Sequence, residues 1–240
     1  NFKNYFLLQD SSRKTTIKTR YIVNSQQIIR IDQENSENIL KILEDKLIEK
    51  IDIHIKNKDV VIISDYNKGL ITRRVSKYII SKANSLKTPV VVDPKKKDFS
   101  LYSNAYLITP NQLEASEVTN MKFNNNSETE VCGKKIIKKY NIKKVLITRG
   151  DKGLSLIGKR MSIHSPTTAK EVYDVSGAGD TVLAVVASCL PNKIEEKTVL
   201  SLANKAAGKV IAKIGTSSIS INELLENKIR LSDEKILDIK

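Results

Sequence analysis

The stretch DVVIISDYNKGLITRRVSKYIISKANSLKTPVVVDP, residues 59–94, decides the fold class. It holds two short apolar runs, VVII and VVV, unbroken by polar residues. Such runs read as strands buried on both faces. Between them, Thr72 to Leu86 carries Val75, Ile79 and Ala83 at helical spacing. A strand, a helix and a second buried strand make a parallel pair with a crossover.

The same rhythm continues downstream. AYLITP (105–110) is a third buried strand, leading into the helix NQLEASEV (111–118). A lysine-rich helix follows from about Glu128 to Tyr140, with Ile136, Ile137 and Tyr140 on one face. KKVLITRG (143–150) is a fourth buried strand, and GLSLIG (153–158) with RMSIHS (160–165) reads as an antiparallel pair. Two helices close the pattern, one after GAGD (177–180) and one over KTVLSLANKAAGKVIAKIG (197–215). Upstream, KTTIKTRYIV (14–23) and QQIIRID (26–32) read as an antiparallel pair turning at Asn24 and Ser25. NSENILKILEDKLIEKI (35–51) reads as a helix capped by Asn35 or Ser36, with Ile39, Leu40, Leu43, Leu47 and Ile51 on one stripe. The expected fold class is α/β: a mostly parallel sheet with helices on both faces, plus a small β lid over residues 15–32.

In such sheets ligands bind outside the carboxyl ends of the strands. Here those ends carry SDYNKG, DPKKKD, TPNQLE and TRGDKG. Each alone is an ordinary turn sequence; four delivered to one edge point to a site.

GAGD concentrates two of only nine glycines around an alanine and before an acid. It opens a helix whose Val182, Val185, Val186 and Cys189 face inward. The first amides of a helix lack internal acceptors and carry positive partial charge, so Gly177, Ala178 and Gly179 suit a phosphate. Asp180 repels a phosphate but is placed to take a proton from an attacking hydroxyl. A tight strand-to-helix turn accounts for the same four letters. The chain has neither a G-x-x-x-x-G-K-[ST] loop nor G-x-G-x-x-G.

The net charge of +14 comes from lysines spread along the chain, as in KKK (95–97) and KKIIKKY (134–140). These read as solvated faces, with some attraction for phosphorylated small molecules. No nucleic-acid signature accompanies them, and no nucleic-acid partner is expected. No run is apolar enough to span a membrane, so a cytoplasmic protein with no membrane partner is expected. Cys132 and Cys189 read as reduced thiols, and His54 and His164 have no metal-ligand spacing.

The blocks QQIIRID, SDYNKGLIT, VDPKKKDF, LITPNQLEA, ITRGDKGLSL, EVYDVSGAGDT and ANKAAGKVIAKIGTSSIS together resemble the ribokinase-like (pfkB) carbohydrate kinases, and among them the heptose-phosphate kinases. The resemblance implies ATP- and Mg2+-dependent phosphorylation of D-glycero-β-D-manno-heptose 7-phosphate at O1, toward the ADP-heptose of the lipopolysaccharide core. It implies Asp180 as catalytic base and Gly177, Ala178 and Gly179 as the anion hole. Asn111 and Glu114 would organise the ATP phosphates and, indirectly, Mg2+. Thr148, Arg149 and Gly150 would contact nucleotide, and Asn204, Gly208, Gly215 and Thr216 would surround adenine and a monovalent cation, K+. Asp65, Lys68, Lys18 and Arg20 are the sugar-side candidates, with cations for the 7-phosphate. The lid implies a homodimer.

Ser176 stands where the family has threonine, and Lys96 where it has glycine. The family's opening G-D…D-x-Y strand and G-G-A-A-N block are not in the sequence, nor is the H-x-G-H of a nucleotidyltransferase partner. The expectation is one kinase domain, 1–240, incomplete at its N-terminus. The alternatives are a non-catalytic remnant that binds nucleotide or a partner, and a kinase for another sugar phosphate.

Overall fold

The computed structural model describes residues 5–23, 26–168, 172–213, 215 and 217–225. Its elements run β1 (Ile17–Val23), β2 (Gln26–Gln33), α1 (Lys41–His54), β3 (Val61–Ser64), α2 (Arg73–Ser85), β4 (Val90–Asp93), β5 (Leu107–Ile108), α3 (Gln112–Thr119), α4 (Asn126–Tyr140), β6 (Lys144–Thr148), β7 (Leu154–Gly158), β8 (Ser162–Ser165), α5 (Ala178–Cys189), α6 (Glu196–Ile211) and α7 (Ile221–Leu225). The main sheet has the order β3-β4-β5-β6-β7-β8. β3 to β6 pair in parallel, and β7 and β8 are added antiparallel.

Strand periodicity sorts the core into two layers. Val90 and Val92 face one way with Ile63, Ile108, Val145 and Ile147, under α2 and α4. Val91 faces the other way with Leu107 and Leu146, under Val182, Leu183 and Val186 of α5 and Leu200 of α6. Val90, Val91 and Val92 are all 0% exposed, each contributing at least about 1.5 kcal/mol by burial. The expected mostly parallel sheet with helices on both faces is the fold found.

Two local expectations are corrected. α1 starts at Lys41 after Leu40, which supplies no side-chain cap. Asn35 instead accepts from the Glu37 amide at 2.8 Å, holding a turn that competes with helix. The Ile39 amide donates to the Gly69 carbonyl at 3.0 Å, so this segment is docked as extended chain and Leu40 is exposed. β3 is an edge strand rather than one covered on both faces: Ile63 is buried, but Ile62 is 45% exposed.

β1 and β2 form a separate two-stranded antiparallel sheet, the lid expected from the sequence. Its register puts Ile17, Tyr21, Ile29 and Ile31 on one face, and Lys18, Arg20, Arg30 and Asp32 on the other. The apolar face is exposed.

The seam between lid and body runs through Gly69. Its φ is +80°, and a Cβ there would lie 1.6 Å from the Glu37 carbonyl oxygen. Arg13 spans the same seam, donating to the carbonyls of Lys68 (2.9 Å) and Glu37 (2.7 Å). Gly69→Ala is expected to cost at least about 2 kcal/mol, by strain at positive φ and loss of this docking. A urea midpoint unchanged from wild type would contradict that reading.

Candidate functional site

The carboxyl ends of β4, β5 and β6 open onto the N-terminus of α5. Gly177 is its N-cap at φ +82°, a left-handed conformation that suits glycine. It turns the chain so that the Ala178 amide still bonds the Val175 carbonyl at 3.3 Å, while the Thr181 amide reaches the Gly177 carbonyl at 2.9 Å. The amides of Gly179 and Asp180 have no intrahelical acceptor. A Cβ on Gly179 would meet nothing within 4 Å, so this end of the helix is open.

Beside it lies a cavity of about 420 Å³. Thr148, Gly150, Ala178, Gly179, Asn204 and Gly208 line it, six residues drawn from three distant blocks of sequence. Leu154, Val172, Val175, Val182 and Ile211 make its wall largely apolar. An apolar slot ending at open helix amides suits a ligand with a flat apolar head and an anionic tail.

Asn204 shapes this cavity indirectly. It is buried, and its Nδ2 donates to Ser165 Oγ at 3.0 Å and to the Pro166 carbonyl. Arg149 departs from the expected placement. Its side chain turns to the far side of the 148–153 turn, where it donates to Thr129 Oγ1 (3.3 Å) and the Lys152 carbonyl (3.2 Å). Gly215 has φ +74° with open space around it; Thr216 lies outside the described residues.

Asn111 and Glu114 form a capping box at the start of α3. The Asn111 side chain accepts from the Glu114 amide and Glu114 accepts from the Asn111 amide, each at 2.8 Å. The other Glu114 oxygen pairs with Lys95 at 2.9 Å. Sequence reasoning passed over Lys95 and, above all, Asp93, the last residue of β4. Burial raises the Asp93 carboxyl to about 6; Lys95 opposes this, while Glu114 and Asp180 add to it. Asp93 is therefore near enough to Lys95, Glu114 and Asp180 to feel the charge of each. The available signal was a carboxylate ending a fully buried strand at the ligand edge.

These oxygens are hard donors with excess negative charge, which fits a hydrated divalent cation. Among the described residues no group of three or more His, Cys, Asp or Glu could hold such an ion by itself. A cation here needs phosphate oxygens to complete its shell.

The sugar-side candidates are mostly committed to the protein. Asp65 is 2% exposed, accepting from Tyr102 Oη at 2.6 Å and from the Asn67 amide at 2.7 Å, and so is not a free surface group. Lys68 pairs with Glu34, and Lys18 pairs with Asp32 (2.9 Å) and Glu34 (3.3 Å). Arg20 has no ion pair within 4 Å among the described residues, and its charge is felt by Asp174, in the loop before α5.

The Asp93 shift predicts a pH signature. Its folded-state value is raised above the ordinary 3.8, so the folded chain holds this proton more tightly. The resulting stabilisation is complete below 3.8 and is lost as pH rises through about 6. Asp93→Asn removes that loss, so its stability relative to wild type is expected to rise across this window. Urea midpoints measured at several pH values check this; parallel profiles for the two proteins would contradict it.

Comparison with known proteins gives these features a context. Residues 2–223 match the profile of the "pfkB family carbohydrate kinase". A "Bifunctional protein HldE" from Campylobacter jejuni (strain RM1221) is 43% identical over 238 residues, covering 98% of this chain and 50% of that protein. The like-named protein of Helicobacter acinonychis is 37% identical, covering 97% of this chain and 51% of its own length. The chain thus spans about half the length of the curated relatives it matches. Phosphofructokinase-2 from Escherichia coli, solved with substrates and products, superposes with a TM-score of 0.71 at 16% identity, over 87% of this chain and 68% of that one. Arabidopsis thaliana ribokinase, solved with ribose and ATP, gives 0.66 at 19% identity, over 83% and 64%. With most of its length matched, this chain belongs to the pfkB family of carbohydrate kinases.

Proposed function

We propose that the chain is a sugar kinase that transfers the γ-phosphoryl group of ATP to O1 of D-glycero-β-D-manno-heptose 7-phosphate, in the making of ADP-heptose. The observation that carries the kinase reading is the open α5 N-terminus, where an apolar cavity and a carboxylate meet the same two free amides. The heptose reading rests on the sequence blocks described above and on 37–43% identity to proteins named HldE.

In this reading the adenosine lies in the slot between Gly208 and Val175. The phosphates run toward the amides of Gly179 and Asp180, whose partial positive charge is fixed before the reaction begins. The Asp180 carboxylate accepts the proton of the sugar O1 hydroxyl as the O1–P bond forms and the bond to ADP breaks. An anomeric hydroxyl is more acidic than an ordinary alcohol, so a weak base suffices, and positioning supplies most of the rate. Mg2+, when bound, supplies positive charge to the transferring group; phosphate oxygens, with Asp93 and Glu114 reached through water, would hold it. Arg20, on the charged face of the lid, is the cation best placed for the 7-phosphate, because Lys18 and Lys68 are already paired.

Asp180→Asn is expected to lower kcat by at least about 1000-fold while ATP affinity stays within a few-fold, since the carboxylate serves the transition state. An ATP-coupled assay with heptose 7-phosphate and a nucleotide titration measure the two. Wild-type turnover in the variant would remove Asp180 from the mechanism. Turnover with other sugar phosphates but none with the heptose would overturn the substrate.

We also infer a homodimer formed through the lid. Ile17, Tyr21, Ile29 and Ile31 share an exposed face that a second copy would cover. Ile29→Lys is expected to turn a sedimenting dimer into a monomer; a wild-type monomer at all concentrations would refute the inference.

A further inference from the structure

The 148–153 turn has two sides, and only one faces the nucleotide cavity. Behind it lies a second cavity of about 650 Å³, lined by Asn124, Asn125, Ser127, Arg149, Lys152 and His164, among others. None of its residues belongs to the kinase machinery proposed above. Two independent features give it a positive interior.

The first is the N-terminus of α4, a helix of 15 residues. Asn125 caps it by accepting from the Glu128 amide at 2.9 Å, and Glu128 accepts from the Asn124 amide at 2.7 Å. The amides of Asn126 and Ser127 precede the first intrahelical bond and keep no internal acceptor. Residues Asn126 and Ser127 both line the cavity.

The second is Arg149. It is only 6% exposed, and its Nε is buried without a hydrogen-bond partner. No carboxylate among the described residues forms an ion pair with it. An unpaired buried guanidinium costs several kcal/mol unless something anionic completes it. Lys152, which donates to the Asn124 carbonyl at 3.1 Å, adds a second cation at the rim.

Two neighbouring titratable side chains are held by other partners. His164 Nδ1 bonds Ser155 Oγ at 2.8 Å, and Glu130 pairs with Lys134 at 2.5 Å. Burial first, then the Arg149 charge, hold His164 below its ordinary value against the opposing pull of Glu130.

We propose that this cavity is a second anion site, taking a phosphate group, free or as the head of a small monoester, between Arg149, Lys152 and the open end of α4. The guanidinium and the two amides present N–H donors to one dianion. The ligand approaches from the side of the turn opposite the nucleotide, so both cavities can be filled together.

The test follows backbone amide resonances of the full chain, with the nucleotide cavity saturated by a non-hydrolysable ATP analogue. Inorganic phosphate and, in a parallel series, glycerol 3-phosphate are the probes. Saturable shifts are expected at Asn126 and Ser127, with the tighter probe identifying free ion or monoester as the natural form. Lys152→Met should weaken the tighter probe by at least about 5-fold. Arg149→Met should abolish binding if it folds; the lysine variant carries the test if it does not. Shifts confined to Gly179 and Asp180, equal shifts from chloride at matched ionic strength, or no saturation by about 50 mM would each overturn the proposal.

Discussion

Parallel pairing is the constraint from which the rest follows. Once β3, β4, β5 and β6 run in one direction, every loop leaving them must emerge at the same edge. Asp65, Asp93, Asn111 and Gly150 are separated by up to 85 positions in sequence, yet each follows or ends one of these strands. The N-terminus of α5 packs over that edge, because Val182, Leu183 and Val186 must cover the layer made by Val91, Leu107 and Leu146. Burying apolar surface and assembling a polar site are thus one act of folding.

The site is electrostatically unbalanced in a useful direction. Lys95 feels the charges of Asp93, Glu114 and Asp180, and partial burial drives Asp93 toward its protonated form. An apolar core alone would have favoured a neutral residue at the end of β4. A cationic guest relieves the imbalance, and the free amides of α5 favour an anionic one a short distance away. A metal-bound polyphosphate satisfies both demands at once, whereas either ion alone satisfies one.

Much of this was legible in the sequence. Continuous apolar runs gave the buried strands, and helical spacing gave α2, α4, α5 and α6, because both patterns are local. GAGD as a helix start was readable because the apolar spacing begins immediately after it. What escaped was set by tertiary contact. The capping residues expected at Asn35 or Ser36 lost to the docking of Ile39 on Gly69. The β3 run looked like a doubly covered strand because hydrophobicity alone does not report position within a sheet. Arg149 read as a nucleotide contact, yet strand alternation and the tight turn send its side chain to the opposite side. Asp93 was overlooked because a carboxylate before proline looks like any other turn; only the company of Glu114 and Asp180 singles it out.

The stitching at Gly69 has a mechanical consequence. The lid is tied to the body at one short seam, where the Ile39 amide, the Arg13 guanidinium and the Lys68–Glu34 pair all fasten to the loop that follows β3. That loop also carries Asp65, anchored inward by Tyr102. Any displacement of the two-stranded sheet would therefore load a loop that is fixed to the core through Asp65. The fastening of the lid and the anchoring of Asp65 share one short loop, so neither can shift without straining the other.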